Sequence, residues 1–470
     1  MEVHIDLTGR RGHRDAIYRQ LRAAILAGRI RPGEALPPTR ELAQRLAVSR
    51  TTVSAAYDRL TAEGFLTGRV GAGTYVTASP AERPSPVLDV PGVRPLPEWD
   101  AVPSPPAPFA PAPEFDFRPG VPDLSLFPFD TWRRLITQRL RAGQADLMTY
   151  GDPQGHAALR AEIARHVGVS RDVRASAAQV VVTAGAQQTT DLVARVLLRP
   201  GDLAAVEDPG YPPPRLVLGA RGIRVAPVPV DASGIVVEAI PAGTRLVYVT
   251  PSHQYPLGLS MSLDRRLELL DWAERTDAVL VEDDYDSEFR YTGRPLEPLH
   301  SLDSRGRVVY VGSFSKVLSP ALRLGFLIAP PSLVPALVKA RYLTDWHAPN
   351  VEQAALAAFM AEGGFARHVR RMRKVYRARH ELLSRSLASF ADFLTPLPSS
   401  AGLHLSAVAT ADCGPLVRAA RRRGVRLYSL GDFGVGERRH GLVFGYGAVA
   451  AERIEPGLAR LRALADGGAA

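Results

Sequence analysis

The stretch VVYVGSFSKVLSPALRLGF, residues 308–326, decides the fold of the larger part of this 470-residue chain. The apolar run 308–311 predicts a buried strand, which leads through small and polar residues to Lys316. A second strand is expected over residues 322–329, and it would carry Arg323. A lysine directly after a buried strand can be shielded from water, lose its proton and form a Schiff base with an aldehyde.

Primary amines are rare in this chain. Only three of its 58 Lys and Arg residues are lysines, namely Lys316, Lys339 and Lys374. Lys339 and Lys374 lie in arginine-rich amphipathic stretches, which predict surface helices. Lys316 is therefore the candidate for chemistry that needs an amine.

Composition excludes several classes of protein. Hydrophobic residues make up 46% of the chain, and the single cysteine, Cys413, excludes a disulfide framework or a cysteine-based metal site. No metal is expected. The N-terminal residues MEVHIDLTGRRGHRD lack an apolar signal region, and no uncharged stretch is typical of a membrane span. We expect a cytoplasmic protein that does not contact membranes.

Prolines divide the chain into two domains. Twelve prolines lie between residues 80 and 113, which predicts an extended, semi-stiff linker over residues 79–114. An N-terminal domain, residues 1–78, precedes it and a larger C-terminal domain, residues 115–470, follows. The N-terminal domain has 12 Arg against 7 Asp and Glu, half of the net charge of +10. This charge indicates either a polyanionic partner or merely a solvated basic surface.

The N-terminal domain has the pattern of a winged helix-turn-helix. Ile17, Leu21 and Ile25 recur at helical spacing, and two shorter amphipathic segments follow, the second with Ser49 as its N-cap. Residues 65–76 then predict two strands around a glycine-rich tip, which is typical of a wing.

This pattern resembles the GntR family of winged helix-turn-helix regulators. The matching string runs through PGEALPPTRELAQRLAVSRTTVSAAYDRLTAEGFL and GAGTYV, and covers most of residues 13–76. The resemblance implies that the domain binds operator DNA through five residues at the major groove or its flanking phosphates and one at the adjacent minor groove or backbone. The five are Arg40, Arg50, Thr51, Thr52 and Ser54, and the sixth is Arg69. Thr52 and Ser54 could instead be merely solvated.

The C-terminal domain has the pattern of an α/β fold with a mostly parallel sheet. Residues 178–330 alternate apolar runs with helical stretches. Residues 180–183 lead into the small-residue turn 184–188, and residues 278–281 lead into the acidic segment 282–286. Because ligands bind beyond the carboxyl ends of strands in open α/β sheets, both segments should lie near Lys316. The turn would offer helix N–H groups to a phosphate, and an acid could keep a pyridine nitrogen protonated.

These parts resemble fold type I pyridoxal phosphate enzymes, and residues 115–470 look like an aminotransferase domain with a large and a small subdomain. Joined to a GntR-type domain, this is similar to the MocR family of pyridoxal-phosphate-dependent transcriptional regulators. Six motifs occur in the family's order and spacing: TYGDPQGHAALR, TAGAQQ, EDPGYP, TPSHQYPLG, EDDYDSEFRY and GSFSKVLSPALRLGF.

The resemblance implies a role for each site residue. Lys316 would form the aldimine with pyridoxal phosphate, Asp283 would pair with the pyridinium, and Tyr285 would hydrogen-bond the phenolic oxygen. Tyr211 would stack on the ring, unless it is a core residue. The phosphate would be held by Gly185, Ala186, Gln187, Ser313 and Arg323, and Tyr150 would reach the phosphate bound by the partner subunit.

Several of these roles have alternatives. Asp284 or Asp286 could replace Asp283 as the partner of the pyridinium, since three acids crowd one turn. His253 and Gln254 are either contacts of the cofactor ring or ordinary polar loop residues.

Two departures from related patterns bear on the ligand. Aminotransferases of free amino acids grip the α-carboxylate with a C-terminal arginine. In this chain Val443 occupies that place, and Arg438 or Arg439 could substitute. GABA-responsive members carry an arginine where this chain has Pro213, with Arg215 two residues further on. Both departures count against a GABA sensor and an efficient transaminase, and favour a sensor of pyridoxal phosphate that controls vitamin B6 synthesis.

The sequence thus predicts a homodimeric transcriptional regulator that binds pyridoxal phosphate and senses this cofactor or an amino compound. Cofactor bonding at Lys316 would shift the placement of the DNA-binding domains through the linker. The alternatives are an active class I/II aminotransferase with an accessory DNA-binding module, and a cofactor-free regulator that keeps the fold as a scaffold. The basic run 367–379 is expected to be a solvated helix face rather than a second DNA surface.

Overall fold

The computed structural model describes most of the chain, and it divides into two compact units, Met1–Pro95 and Leu96–Ala470. The described residues are 5–7, 12–69, 73–77, 93–104, 113–141, 145–293, 297–436 and 439–467. Much of the predicted linker lies outside these ranges, and its described part contains one 3-10 helix, Pro97–Ala101. Among the described helices, none has both the length and the apolar character needed to span a membrane.

In its described residues the N-terminal unit consists of three α-helices and a two-stranded antiparallel wing, as predicted. Its elements are α1 His13–Leu26, α2 Thr39–Arg45, α3 Arg50–Ala62, β1 Leu66–Arg69 and β2 Gly73–Val76. Ile17, Leu21 and Ile25 are buried on one face of α1, where they pack against Val53 and Leu60 of α3. The helical spacing of apolar residues therefore produces the core of this unit.

The C-terminal unit contains eleven described α-helices and fourteen described strands. The helices are α4 Phe129–Arg139, α5 Ala157–Arg171, α6 Ala186–Leu197, α7 Pro212–Ala220, α8 Leu263–Thr276, α9 Leu299–Leu302, α10 Val334–Asp345, α11 Asn350–Ala361, α12 Gly364–Ser386, α13 Gly414–Arg422 and α14 Ala451–Asp466. The strands are β3 Phe115–Asp116, β4 Val180–Thr183, β5 Leu203–Asp208, β6 Arg224–Asp231, β7 Gly234–Ile235, β8 Thr244–Val249, β9 Val279–Asp284, β10 Val308–Ser313, β11 Gly325–Ile328, β12 Leu394–Pro396, β13 His404–Ala409, β14 Val425–Arg426, β15 Tyr428–Ser429 and β16 Gly441–Gly445.

The main sheet has eight strands in the order β4-β11-β10-β9-β8-β5-β6-β7. The five strands from β10 to β6 are parallel, whereas β11 is antiparallel to both of its neighbours and β7 is antiparallel to β6. The predicted mostly parallel α/β sheet is thus confirmed. Because β4 and β10 both run opposite to β11, the carboxyl ends of β4, β9 and β10 lie at the same edge of the sheet. A second, antiparallel sheet has the order β12-β13-β16-β15.

The prediction that Arg323 lies on a strand is wrong. Strand β11 begins only at Gly325, and Arg323 occupies a left-handed turn with φ of 50° and ψ of 43°. Pro320 opens a 3-10 helix, Pro320–Leu322, whose first turn is capped by the Ser319 hydroxyl accepting from the Ala321 N–H at 3.2 Å. This local turn delays the strand and holds Arg323 beside the loop that follows β10.

The basic run 367–379 lies on the long helix α12 and is solvated along most of its length. Arg367, Arg370 and Arg371 are exposed, as predicted for a solvated helix face. Arg379 differs, because it is buried and donates to the carbonyl oxygen of Gly447 at 2.6 Å. Its guanidinium also forms an ion pair with Asp123 at 2.5 Å. The last arginine of the run therefore has a structural role.

Candidate cofactor site and DNA-binding surface

A cavity of about 350 Å³ lies at the carboxyl ends of β4, β9 and β10. Nine of the ten side chains predicted for the cofactor site line it. They are Lys316, Asp283, Tyr285, Tyr211, Gly185, Ala186, Gln187, Ser313 and Arg323. The parallel sheet therefore brings together residues that are up to 138 positions apart in the chain, from Gly185 to Arg323.

Lys316 extends into this cavity from the loop after β10. Its Nζ donates to the carbonyl oxygen of Gly120 at 2.9 Å. Burial lowers the pKa of the Lys316 amine, although the carboxylate of Asp283 acts in the opposite direction. Gly120 has a φ of +74°, and a Cβ at this position would lie 3.0 Å from the Lys316 Nζ. A glycine is needed here both for the backbone conformation and for the approach of the amine.

Asp283 lies at the end of β9 and has an unpartnered oxygen. The Tyr248 hydroxyl on the adjacent strand β8 donates to Oδ2, whereas Oδ1 is buried and has no hydrogen-bond partner among the described residues. Burial raises the pKa of the Asp283 carboxyl to about 7. Leaving a buried carboxylate oxygen without a donor costs free energy, so a ligand that brings a donor would be favoured. A protonated pyridine nitrogen is such a donor.

The two neighbouring acids are engaged elsewhere. Asp284 accepts hydrogen bonds at 2.8, 2.6 and 2.9 Å from Arg171, Tyr310 and Ser287 respectively. The carboxylate of Asp286 lies 3.0 Å from Nδ1 of His253. Neither acid lines the cavity, and only Asp283 of the three does.

Aromatic rings form one side of the cavity. The Tyr285 hydroxyl donates to the backbone carbonyl oxygen of His253 at 2.8 Å. Tyr211 precedes α7 and contacts Tyr255 edge to face, with ring centroids 5.4 Å apart. Tyr211 also packs against the core of the main sheet, so it is both a cavity residue and a partly buried one. Tyr255 lines the cavity without having been predicted, although the motif TPSHQYPLG contains it.

The opposite end of the cavity is suited to an anion. Gly185 precedes α6 with a φ of 109°, and Ala186 and Gln187 open the helix, so their N–H groups have no partner within it. Gly325 of β11 packs closely, because a Cβ on it would lie 2.8 Å from the Gly185 Cα. Arg323 is exposed at this end, and its guanidinium makes no hydrogen bond or ion pair within the described parts of the chain. Helix N–H groups and a free guanidinium are together typical of a phosphate site.

Tyr150 and Gln254 do not line the cavity. Tyr150 is 73% exposed and stacks on Trp346, with ring centroids 4.4 Å apart. A role of Tyr150 toward a second subunit stays a prediction. Gln254 is buried, and its amide donates to the carbonyl oxygen of Pro209 at 2.8 Å and to Glu207 at 3.3 Å. His253 lies behind Tyr285 and outside the lining.

The residues discussed for carboxylate binding are also outside the lining. Val443 is fully buried in β16 and packs against Val230 and Leu257. Arg439 donates to the backbone carbonyl oxygen of Val230 at 2.5 Å. Arg438 lies outside the described residues.

The predicted DNA-binding residues lie around the start of α3 and α2. Arg40, Arg50 and Thr51 are exposed, whereas Thr52 and Ser54 are half-buried. Ser49 caps α3 as predicted, because its hydroxyl accepts from the Thr52 N–H at 3.2 Å. The hydroxyls of Thr51 and Thr52 lie 2.7 and 2.8 Å from the same Ser49 oxygen. The side chain of Arg69 and the wing tip, residues 70–72, lie outside the described part of the structure.

Two family models match this chain. The model of aminotransferase class I and II matches residues 120–435, and the model of bacterial regulatory proteins of the gntR family matches residues 13–76. The chain is also similar to named regulators over nearly its full length. The probable rhizopine catabolism regulatory protein MocR of Rhizobium meliloti is 38% identical, covering 95% of this chain and 92% of that protein. The HTH-type pyridoxine biosynthesis transcriptional regulator PdxR of Corynebacterium glutamicum is 34% identical, covering 91% and 90%.

Solved structures of aminotransferases resemble the C-terminal unit. An archaeal alanine:glyoxylate aminotransferase superposes with a TM-score of 0.71 and 25% identity, covering 75% of this chain and 90% of that one. LysN, the α-aminoadipate aminotransferase of Thermus thermophilus, was solved with N-(5'-phosphopyridoxyl)-L-leucine. It superposes with a TM-score of 0.68 and 29% identity, covering 74% and 92%. These likenesses confirm the predicted fold of the C-terminal domain.

Proposed function

Because the chain belongs to the MocR family of transcriptional regulators, we propose that its cavity binds pyridoxal phosphate and that this domain is the sensor for DNA binding. The GntR-type domain implies DNA binding, and the class I/II aminotransferase fold implies dependence on pyridoxal phosphate. The proposal includes the role of each cavity residue and the identity of the effector.

The lining offers a partner for each end of the cofactor. Lys316 supplies the amine for its aldehyde, Asp283 accepts from its pyridinium, and Tyr285 faces its phenolic oxygen. Tyr211 packs on the ring. The N–H groups at the start of α6, the Ser313 hydroxyl and the Arg323 guanidinium hold the phosphate. When bound, the cofactor supplies a reactive aldehyde and an electron-withdrawing pyridinium.

A single observation carries this proposal. Asp283 Oδ1 is buried at the cavity without a donor, while Oδ2 is held by Tyr248. Both oxygens of Asp286 are engaged by His253. The Oδ1 of Asp284 is also buried without a partner in the described structure, but Asp284 forms an ion pair with Arg171 and does not line the cavity. The unpaired oxygen of Asp283 lies in the same cavity as the Arg323 guanidinium, which has no partner among the described residues, and as Lys316, whose pKa is lowered. This set of groups fits a ligand with a cationic N–H at one end and an anion at the other.

The proposal is tested by trapping the cofactor on the full-length chain. The protein is mixed with pyridoxal phosphate, reduced with borohydride and mapped by peptide mass spectrometry. We expect a pyridoxyl adduct on Lys316 and none on the exposed Lys339 or Lys374. Reduction that leaves Lys316 unmodified would favour the cofactor-free alternative.

The effector is proposed to be pyridoxal phosphate itself or an amino compound that reacts with it. The regulators resembling this chain carry names that refer to different compounds, rhizopine and pyridoxine among them, so similarity alone does not choose between ligands. Footprinting of the adjacent intergenic DNA, with and without pyridoxal phosphate and candidate amines, distinguishes the two. A footprint that responds only to an amino acid would contradict control by vitamin B6. A steady-state transamination assay checks the alternative of an active aminotransferase.

The regulator is further proposed to act as a homodimer. Tyr150 is exposed and stacked on Trp346, which leaves its hydroxyl end accessible to a second subunit. Sedimentation of the full chain at micromolar concentration should give twice the monomer mass. A monomer that binds pyridoxal phosphate with full affinity would contradict a role for Tyr150 in a shared site.

A further inference from the structure

A buried pair of residues, His253 and Asp286, lies directly behind Tyr285. The two residues are only 2% and 1% exposed. Nδ1 of His253 lies 3.0 and 3.2 Å from the two carboxylate oxygens of Asp286. Because a carboxylate can only accept, Nδ1 carries the proton and donates to Asp286. The pair is therefore a polarised donor–acceptor unit within a site of low dielectric constant.

The same nitrogen of His253 also faces the hydroxyl of Tyr285. The Tyr285 oxygen lies 3.1 Å from Nδ1, and its O–H donates to the backbone carbonyl oxygen of His253 at 2.8 Å. The Nδ1–H is thus shared between Asp286 and the tyrosine oxygen. An N–H directed at a phenol oxygen polarises the O–H bond and strengthens it as a donor. The pair therefore fixes the position of the Tyr285 oxygen and strengthens its O–H as a hydrogen-bond donor.

The histidine ring is fixed in place on several sides. Gly402, with a φ of +84°, packs so closely that a Cβ on it would overlap both the His253 ring and the Asp286 carboxylate. The ring of His404 lies 4.6 Å away between centroids, and a Cβ on Gly258 would lie 3.3 Å from Nε2. Nε2 is buried and has no hydrogen-bond partner in the described structure. The surroundings thus hold the orientation in which Nδ1 faces Asp286 and Tyr285.

Asp286 also acts on the cavity through its charge. Its carboxylate raises the pKa of Lys316, against the larger lowering caused by burial, and raises the pKa of Tyr285 and of Asp283. Two further histidines face the pair. Burial and then the neighbouring His253 lower the pKa of His404 and of His380, which favours their neutral forms. Tyr291 and Tyr446 are further titratable neighbours of Asp286, and burial raises the pKa of both above the ordinary value of a tyrosine.

We propose that His253 and Asp286 are positioning residues that hold the Tyr285 oxygen in place, so that its O–H can turn from the His253 carbonyl oxygen to the phenolic oxygen of the cofactor, and that they set the pH at which the bound cofactor loses its proton. This inference rests on the proposed function, because it requires pyridoxal phosphate at Lys316. It assigns a role to two residues that do not line the cavity and act through Tyr285.

The test is a pH titration of the visible absorption band of the full-length protein loaded with pyridoxal phosphate. Asp286→Asn removes a negative charge that favours the protonated cofactor, so the midpoint should fall by roughly one pH unit. His253→Leu leaves Asp286 buried without a donor. The acid then takes up a proton, which lowers the midpoint, whereas the weaker Tyr285 hydrogen bond raises it, so the net shift should be smaller than that of Asp286→Asn. His253→Asn, which restores an N–H near the position of Nδ1, should recover most of this shift.

His380→Asn is the matched control. His380 is a histidine of the same region that packs on Tyr291 and Tyr446, with centroids 5.3 and 5.6 Å away. This variant should lose stability without moving the midpoint, as a merely structural residue would.

A folded Asp286→Asn protein with the wild-type midpoint would overturn the inference, and this nearly isosteric variant decides the question if His253→Leu does not fold. A wild-type protein with no visible band would overturn the proposed function, and this inference with it. A normal wild-type band with unshifted variants would overturn the inference alone.

Discussion

The start of α3 and the cavity at the carboxyl end of β9 both contain polar groups without hydrogen-bond partners. The free-energy cost of leaving these groups unpaired is very different at the two places. Arg50 on α3 is exposed, and its guanidinium makes no hydrogen bond or ion pair within the described residues. Water satisfies its guanidinium, so its lack of a partner costs little. Asp283 Oδ1 is buried without a donor, and burial raises the pKa of this carboxyl to about 7. An unpaired polar group is therefore strong evidence for a ligand when it is buried in the cavity, and only weak evidence when it is exposed on α3.

The largest expected effect is on the cofactor affinity of the cavity. Asp283→Asn removes the negative charge that faces the pyridinium but keeps the size of the side chain. We expect the dissociation constant of pyridoxal phosphate to rise roughly 100-fold, about 2.7 kcal/mol, in fluorescence or absorbance titrations. An unchanged affinity would remove the main distinction between the cavity and the surface of α3.

The same substitution should stabilise the protein when no cofactor is bound. The pKa of Asp283 is raised from 3.8 to about 7, so the folded state binds this proton more tightly than the unfolded state. The stabilisation from the protonated carboxyl is present below about pH 4 and is lost as the pH rises to about 7. Asparagine cannot ionise. We expect cofactor-free Asp283→Asn to be more stable than wild type by about 2 kcal/mol at pH 8, with a smaller difference at pH 5.

Thermal unfolding of the cofactor-free protein at the two pH values measures this effect. Asp284→Asn is the matched comparison, because Asp284 is paired with Arg171 at 2.8 Å and should be destabilised by the change at both pH values. Equal behaviour of the two variants would show that burying the Asp283 carboxylate without a cationic partner carries no cost.

Much of this contrast could be predicted from the sequence, since it depends on local patterns. The apolar runs of β4 and β10 identified buried strands, and the polar residues after them identified the cavity. The Ser49 cap was predictable from residue type and position alone. What could not be predicted depends on tertiary contacts. Tyr248 reads as one more apolar residue of β8, and its bond to Asp283 requires the strand pairing.

Pairs of residues that are distant in the sequence could not be predicted either, because their contacts depend on the tertiary fold. His253 and Asp286 are 33 residues apart, and nothing in either segment indicates that they meet. The left-handed turn of Arg323 arises from the short 3-10 helix that precedes it, whereas the apolar run beyond it suggested an earlier start of the strand.

A smaller effect is expected on the DNA side. Arg50→Ala should weaken operator binding roughly tenfold in gel-shift titrations, because one guanidinium contact is lost from several. Arg19→Ala is the control, since Arg19 is exposed on α1 and donates to the carbonyl oxygen of Asp15 at 3.3 Å. Equal losses for the two variants would point to general charge attraction. An unaffected Arg50→Ala would contradict the placement of α3 on DNA.

The smallest effect concerns the polar cluster at the start of α3, which is satisfied internally. Ser49 accepts from the Thr52 N–H and lies within hydrogen-bond distance of the Thr51 and Thr52 hydroxyls. Ser49→Ala removes this cap and should destabilise the helix by about 1 kcal/mol, seen as roughly fivefold faster amide exchange in the first turn. Ser49→Asp, which keeps a capping oxygen, should exchange at close to the wild-type rate. If Ser49→Ala also exchanges at the wild-type rate, the threonine hydroxyls cap the helix themselves and are not available to contact DNA.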